Sequence, residues 1–187
     1  LVLVKGYGKY EIIGETLDDA AGEAFDKVAR ILGLGYPGGP EIAKIADLYE
    51  ATPRKSYEAL PHKIKLPRPM MNSKDYNFSF SGLKTAVLYL VRDLEKKYSI
   101  KKFRPAIAKE FQEAVVDVLV KKTIRAAKEY KVKTVLLGGG VAANKLLRKQ
   151  LGNVIRKEIP NSLFLIPDLA LTGDNALMIA LAAYFIG

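Results

Sequence analysis

Residues 105–186 alternate between helical and extended hydrophobic patterns, and few architectures accept that order. Pro105 opens a long helical pattern reaching about Tyr130, with Ile107, Phe111, Val115, Leu119 and Ile124 recurring at helical spacing. An extended run follows at 133–137, a helix from about Asn144, a second extended run at 163–166 and a last helix over 172–186. Helix, strand, helix, strand, helix is the signature of an α/β layer with parallel strands joined by crossover helices. Such sheets bind ligands beyond the carboxyl ends of their strands. That is where Gly138-Gly139-Gly140 stands, directly after the run at 133–137. Consecutive glycines lose more backbone entropy on folding than any other residues, so something at that spot needs a bare main chain.

The first part of the chain is less regular. Residues 1–4 and 10–13 flank KGYGK and read as two strands around a turn. Thr16 or Asp18 is placed to cap a helix carrying Ala21, Phe25, Val28, Ala29 and Leu32, and Gly33 ends it. GLGYPGGP reads as a loop, 41–50 as a short helix, and the stretch holding Pro53, Pro61, Pro67 and Pro69 as a basic connector. The segment 78–98 passes from a strand-like start into a helix with Leu83, Val87, Leu90, Val91 and Leu94 on one side. No repeat interrupts the 187 residues, which suit one domain.

Charge narrows the partners. Thirty Lys and Arg against 20 Asp and Glu leave a net charge of +10, which favours polyanions: nucleic acid first, an acidic membrane surface second. A lysine-rich solvated surface is the plainer account. With no cysteine, thiol catalysis and cysteine-bound metals are excluded. The single histidine, His62, gives no His pair of the kind a zinc hydrolase needs. No apolar run approaches the ~20 residues of a membrane span, and the expected location is the cytoplasm. The chain opens inside a strand-like run without Met, which leads us to expect a piece of a longer protein.

Several residues stand where chemistry is done, and each has a bland account beside it. LLGGGVAAN matches neither GxGxxG nor the GxxxxGK[ST] phosphate loop, so it is either a tight turn or a nucleotide contact. Gly38-Gly39 is not explained by the helix stop at Gly33. Asp26, an acid on an apolar-leaning helix, is solvent decoration or a ligand contact. Asp174-Asn175 is a helix cap or a carboxylate at the ligand edge of the sheet, suited to a metal or a sugar hydroxyl. Ser81, Lys84 and Thr85 cluster near a helix start; no general base adjoins Ser81 in sequence, and Lys84 is a candidate only for charge stabilisation.

In order, GETLDDAAGEAFDKVARILGLGYPGGP, FSFSGLKTAV, AVVDVLVKKTIRAA, LLGGGVAANKLLR and GDNALMIA resemble the TsaD family, the tRNA N6-threonylcarbamoyladenosine synthases once labelled O-sialoglycoprotein endopeptidases. The resemblance covers nearly the whole chain. It implies an actin/sugar-kinase/Hsp70-like fold, here one ribonuclease-H-like lobe with a mixed sheet flanked by helices, residues 1–187 being the second lobe. The implied activity is transfer of a threonylcarbamoyl group from threonylcarbamoyl-adenylate to N6 of adenosine 37 in tRNAs reading ANN codons. Carried over by position, Asp26, Gly39, Gly138, Gly139, Gly140 and Asn144 contact the adenylate, or ATP or AMP in its place, and Gly38 shapes its turn. Asp174 becomes a ligand of one divalent metal, iron or zinc. Gly173-Asp174-Asn175-Ala176 departs from the family's Thr-Asp-Asn-Gly on both sides of the Asp-Asn pair. The family's HxxxH pair and Ser-Gly-Gly-His phosphate segment are not in this sequence, so about half an active site is expected here. Implied partners are tRNA, a paralogous TsaB-type subunit and a TsaE-type ATPase, with no membrane. The resemblance also implies a strand order in which 1–4, 10–13 and 133–137 are the second, third and fourth strands, the central one belonging before Leu1. For tRNA, the expected contacts are Arg54, Lys55, His62, Lys63, Lys65 and Arg68, with Lys101, Lys102 and Arg104 beyond. A non-catalytic nucleotide-binding scaffold, a sugar-kinase or Hsp70-like ATPase and the old endopeptidase label are the rival readings.

Overall fold

The computed structural model describes residues 1–51, 64–173 and 175–186, and falls into two compact units. Residues 16–119 form one; residues 1–15 and 120–187 form the other.

In the first unit, α1 (Ala21–Ile31) buries Ala24, Phe25, Val28 and Ala29 along one stripe and packs on α2 (Gly38–Ala51) and α3 (Ser81–Glu95). Gly33 takes a φ of +63° just beyond Leu32, a left-handed stop suited to glycine. α3 turns Leu83, Val87, Val91 and Leu94 inward. α4 (Arg104–Glu129) begins one residue before Pro105, after a 3-10 turn at Ile100–Lys102, and gives residues up to Leu119 to this unit. Phe111 of α4 meets Phe25 edge to face, the ring centres 5.1 Å apart.

The loop before α1 acts at a distance. Neither Thr16 nor Asp18 caps α1, whose N-terminal flank, Ala20, makes no side-chain cap. Thr16 instead donates to the carbonyl of Asp19 at 2.8 Å. Asp18 caps α3: Oδ1 accepts the N–H groups of Phe80 at 2.8 Å and Ser81 at 3.2 Å, and Oδ2 accepts the Ser79 hydroxyl. A sequence pattern shows only caps near their own helix, so this one was out of sight. Asp19, almost buried, takes Lys27 Nζ at 2.6 Å and Lys84 Nζ at 3.2 Å.

In the second unit, β1 (Val2–Gly6) and β2 (Lys9–Ile12) pair antiparallel, Val2 opposite Ile12 and Val4 opposite Tyr10. β3 (Thr134–Leu136) and β4 (Leu163–Leu165) pair in parallel, joined through α5 (Lys145–Glu158). The parallel pair and its helical crossover match the alternation read from the sequence. The single mixed sheet expected from the sequence is not formed among the described residues: the antiparallel and parallel pairs are separate, with no ladder joining them. α5 buries Leu147, Leu151 and Ile155. α6 (Ala176–Ile186) is apolar almost throughout, yet Ile179 and Tyr184 are 70% and 81% exposed. No helix among the described residues is long and apolar enough to cross a membrane.

The two adjacent acids tie stability to pH. Burial and the Asp19 charge push the Asp18 carboxyl up, but the hydrogen bonds from Ser79, Phe80 and Ser81 outweigh them and hold it below its ordinary value. Asp19 is held low chiefly by the Lys27 hydrogen bond, against burial, with Lys84 adding to it. Groups depressed in the folded state stabilise it above their unfolded pKa, about 3.9, and that stabilisation is lost as pH falls through this value toward the folded one. Denaturant midpoints should therefore be flat from pH 7 to 5 and fall below about pH 4. Asp18→Asn should flatten the acid limb; an unchanged limb would remove Asp18 from this role.

Candidate functional site

Beyond β3 the main chain is bare. A Cβ added at Gly138, Gly139 or Gly140 would meet nothing within 4 Å. Gly139, with φ at +78°, needs glycine for its backbone; packing does not demand glycine at the other two positions. The helix begins where the sequence placed it, at Lys145 after Asn144. A 3-10 turn, Gly140–Ala143, comes first, burying Ala142. Asn144 then caps α5, its Oδ1 accepting the Leu147 N–H at 3.0 Å. Arg148 Nε donates to the Ala142 carbonyl and fixes the turn against the helix, while its Nη2 is buried with no hydrogen-bond partner among the described residues.

In the other unit, Asp26 is not solvent decoration. Its Oδ1 accepts the Gly38 N–H at 2.7 Å, capping α2 from the neighbouring helix α1. This lets α2 start at Gly38, three residues before the pattern suggested. A Cβ on Gly38 would lie 2.6 Å from Asp26 Cα and 2.8 Å from the Phe25 carbonyl oxygen, so close packing of α1 and α2 requires glycine there. Gly39 faces open space and has no such need. Gly38 thus has a packing reason to be glycine, and Gly39 leaves room for something else to approach the backbone.

Lys84 is already engaged: Nζ donates to Asp19 Oδ2 and Ser81 Oγ, both at 3.2 Å. Thr85 donates to the Ser81 carbonyl at 2.9 Å. Asp174 lies outside the described residues. The cap of α6 is Asn175, whose Oδ1 accepts the Met178 N–H at 2.9 Å. Among the described residues, no three His, Cys, Asp or Glu side chains come together as a metal set.

Of the cations expected to meet tRNA, Arg54, Lys55, His62 and Lys63 also lie outside the described residues. Arg68 is committed elsewhere: it pairs with Glu110 and with Asp117 at 3.0 Å and donates to the Leu66 carbonyl, clamping the connector onto α4. Arg104 lies against Gly33, and its Nε is buried. These two arginines hold the fold, while Lys65, Lys101 and Lys102 are exposed.

So Asp26 and Gly38 meet in one unit, and Gly138–Gly140 and Asn144 in the other. Arg148 adjoins the second group through the Ala142 carbonyl, and was missed because it acts on a backbone group that periodicity does not reveal; the partners of Asp18 and Asp19, on α1 and α3, were missed for the same kind of reason. The same ordered stretches are matched by the family described as tRNA N6-adenosine threonylcarbamoyltransferase, TsaD, over residues 1–181. The chain belongs to the TsaD family. A protein of that description from Thermosipho africanus is 53% identical over 184 residues, covering 98% of this chain and 51% of the relative. One from Listeria monocytogenes is 50% identical over 182 residues, covering 97% and 49%. One from Geobacillus thermodenitrificans is 49% identical over 183 residues, also covering 97% and 49%. The chain spans about half the length of the curated relatives it matches.

The two adjoining glycines separate packing from ligand access. Gly38→Ala should destabilise the protein by about 1–3 kcal/mol through overpacking, and Gly39→Ala far less, read as denaturant midpoints. Equal losses would deny Gly38 its steric role.

Proposed function

We propose that the full-length protein of which this chain is about half transfers a threonylcarbamoyl group from threonylcarbamoyl-adenylate to N6 of adenosine 37 in tRNA. What supports this is the bare turn at Gly138–Gly140, capped into α5 by Asn144, in a chain of this family. A glycine turn at a helix start lets a planar base lie on the main chain, and in the other unit, taken by itself, Gly39 is open to close approach near the carboxylate of Asp26. Oδ1 of Asp26 holds Gly38, which leaves Oδ2 as the oxygen suited to a ribose hydroxyl.

In the transfer, N6 of the adenine forms a bond to the carbamoyl carbon. The bond from that carbon to the phosphate oxygen breaks, AMP leaves with the electron pair, and the amine gives up a proton. The exocyclic amine is a poor nucleophile, so holding it and the acyl carbon in register supplies much of the rate. No residue of this chain is assigned as the base. The fold we propose is the actin/sugar-kinase/Hsp70-like one, with these residues as one lobe. The exposed apolar surface of α6 and the separate strand pairs support further chain packing there. A divalent metal, iron or zinc, would polarise the acyl carbon as a Lewis acid. Asp174 is the residue offered for it; the described residues assemble no three-ligand set, and no step is derived through the ion. A TsaB-type paralogue and a TsaE-type ATPase are proposed as partners.

Asn144 tests the adenylate reading without confusing it with capping. Asn144→Asp should keep the cap and the melting temperature, since both side chains cap well. AMP affinity should fall by about 1–3 kcal/mol as the amide donor is lost and a charge faces the ligand. Unchanged AMP affinity in calorimetry on the full-length protein would sink the assignment.

Asp174→Asn keeps any capping capacity but removes a carboxylate ligand. Metal content and tRNA modification should fall together. Full metal occupancy with wild-type modification would exclude Asp174 as a ligand.

A further inference from the structure

α5 carries a second pattern beside its buried stripe. Lys145, Arg148, Lys149, Asn153 and Arg156 recur at intervals that place them along one face of the helix, spanning about 16 Å. That face, with Phe164 and Ile166 at and beyond β4, lines a groove of about 400 Å³. Its lining has four cations and no carboxylate. The floor depends on Gly152, where a Cβ would sit 3.3 Å from two carbons of the Phe164 ring. Glycine there lets the ring lie close to the helix backbone.

The charges are also badly placed for the helix itself. The first turn of α5 holds no acid, while Lys145 and, one turn on, Arg148 and Lys149 crowd the positive end of the helix dipole. No carboxylate lies within ion-pair distance of these three among the described residues, and the buried Nη2 of Arg148 has no hydrogen-bond partner. Cations kept where they weaken a helix, above an aromatic floor, suit an anionic chain with planar groups. A single phosphate would engage one end of the stripe; a run of phosphodiesters engages its length.

We infer that the α5–β4 groove docks the sugar–phosphate backbone of the RNA substrate, with Phe164 beneath a ribose or base. This rests on the proposed action on tRNA and deepens it. The surface lies immediately after Asn144, on the same helix the proposed adenylate turn leads into, and differs from the connector cations first expected to serve RNA. Lysine and arginine along a track with an aromatic floor is how single-stranded segments are commonly held.

The test uses the full-length protein and its unmodified tRNA, with Lys149→Glu/Arg156→Glu and, as a milder pair, Lys149→Gln/Arg156→Gln. Neither residue adjoins the adenylate turn. The charge-reversed protein should bind tRNA about 10–100-fold more weakly, and the slope of log affinity against log salt should fall by about 1.5–2. The neutral pair should show a smaller loss of affinity with a reduced slope, at wild-type melting temperature and AMP affinity. If the wild type binds tRNA and both variants match its affinity and slope, the groove is overturned while the proposed function stands. If the variants lose AMP affinity but keep the tRNA slope, the groove serves a free nucleotide, and RNA docking is likewise overturned. If the wild type binds no tRNA, the proposed function fails and the groove falls with it.

Discussion

Two adjacent carboxylates hold the first unit together. Asp18 and Asp19 point to different partners, one to the open N-terminus of α3, the other between lysines of α1 and α3. Side by side, their charges repel, and each is tolerated because it is answered locally: by hydrogen-bond donors for Asp18, by two ammonium groups for Asp19. With Asp19 nearly buried, loss of either lysine would leave an underpaired charge in a poorly solvated place. The loop thus caps the start of α3 and ties α1 to it, and α1 in turn caps α2 through Asp26.

A single chemical device recurs where the candidate residues stand. Asp18 caps α3, Asp26 caps α2, Asn144 caps α5 and Asn175 caps α6. Capping and ligand binding ask for the same thing, a short polar side chain fixed beside free backbone N–H groups. The caps that the structure shows at Asp26 and Asn144 are therefore compatible with the ligand contacts the resemblance implies for them. A cap uses one acceptor and fixes the rotamer, which at Asp26 prepares Oδ2 for use.

What the sequence made legible followed from periodicity. The long stripe of α4, the inward face of α3 and the strand–helix–strand run through α5 stand as their hydrophobic spacing indicates. Contacts spanning the chain were not legible. Asp18 reaches a helix start 62 residues away, and Arg68 reaches Glu110 and Asp117 from the connector, so a cap of α3 was read as a cap of the nearer helix, and a clamp as tRNA-facing charge. At the site, the glycine runs were visible but their separate reasons were not. Only coordinates distinguish Gly38, which has no room for a side chain, from Gly39, which has ample room. The cationic face of α5 could have been read from its spacing; the aromatic floor that makes it a groove could not.

The contact between Gly38 and Asp26 has a spectroscopic consequence. An amide proton donated to a carboxylate resonates downfield in proportion to the negative charge it meets, and Gly38 donates to Oδ1 over 2.7 Å. Any group that draws electron density toward Oδ2, a sugar hydroxyl or a proton, weakens that bond and shifts the Gly38 resonance upfield. The molecule thereby carries its own reporter: one glycine cross-peak, isolated by residue type, registers what happens at the far side of the carboxylate.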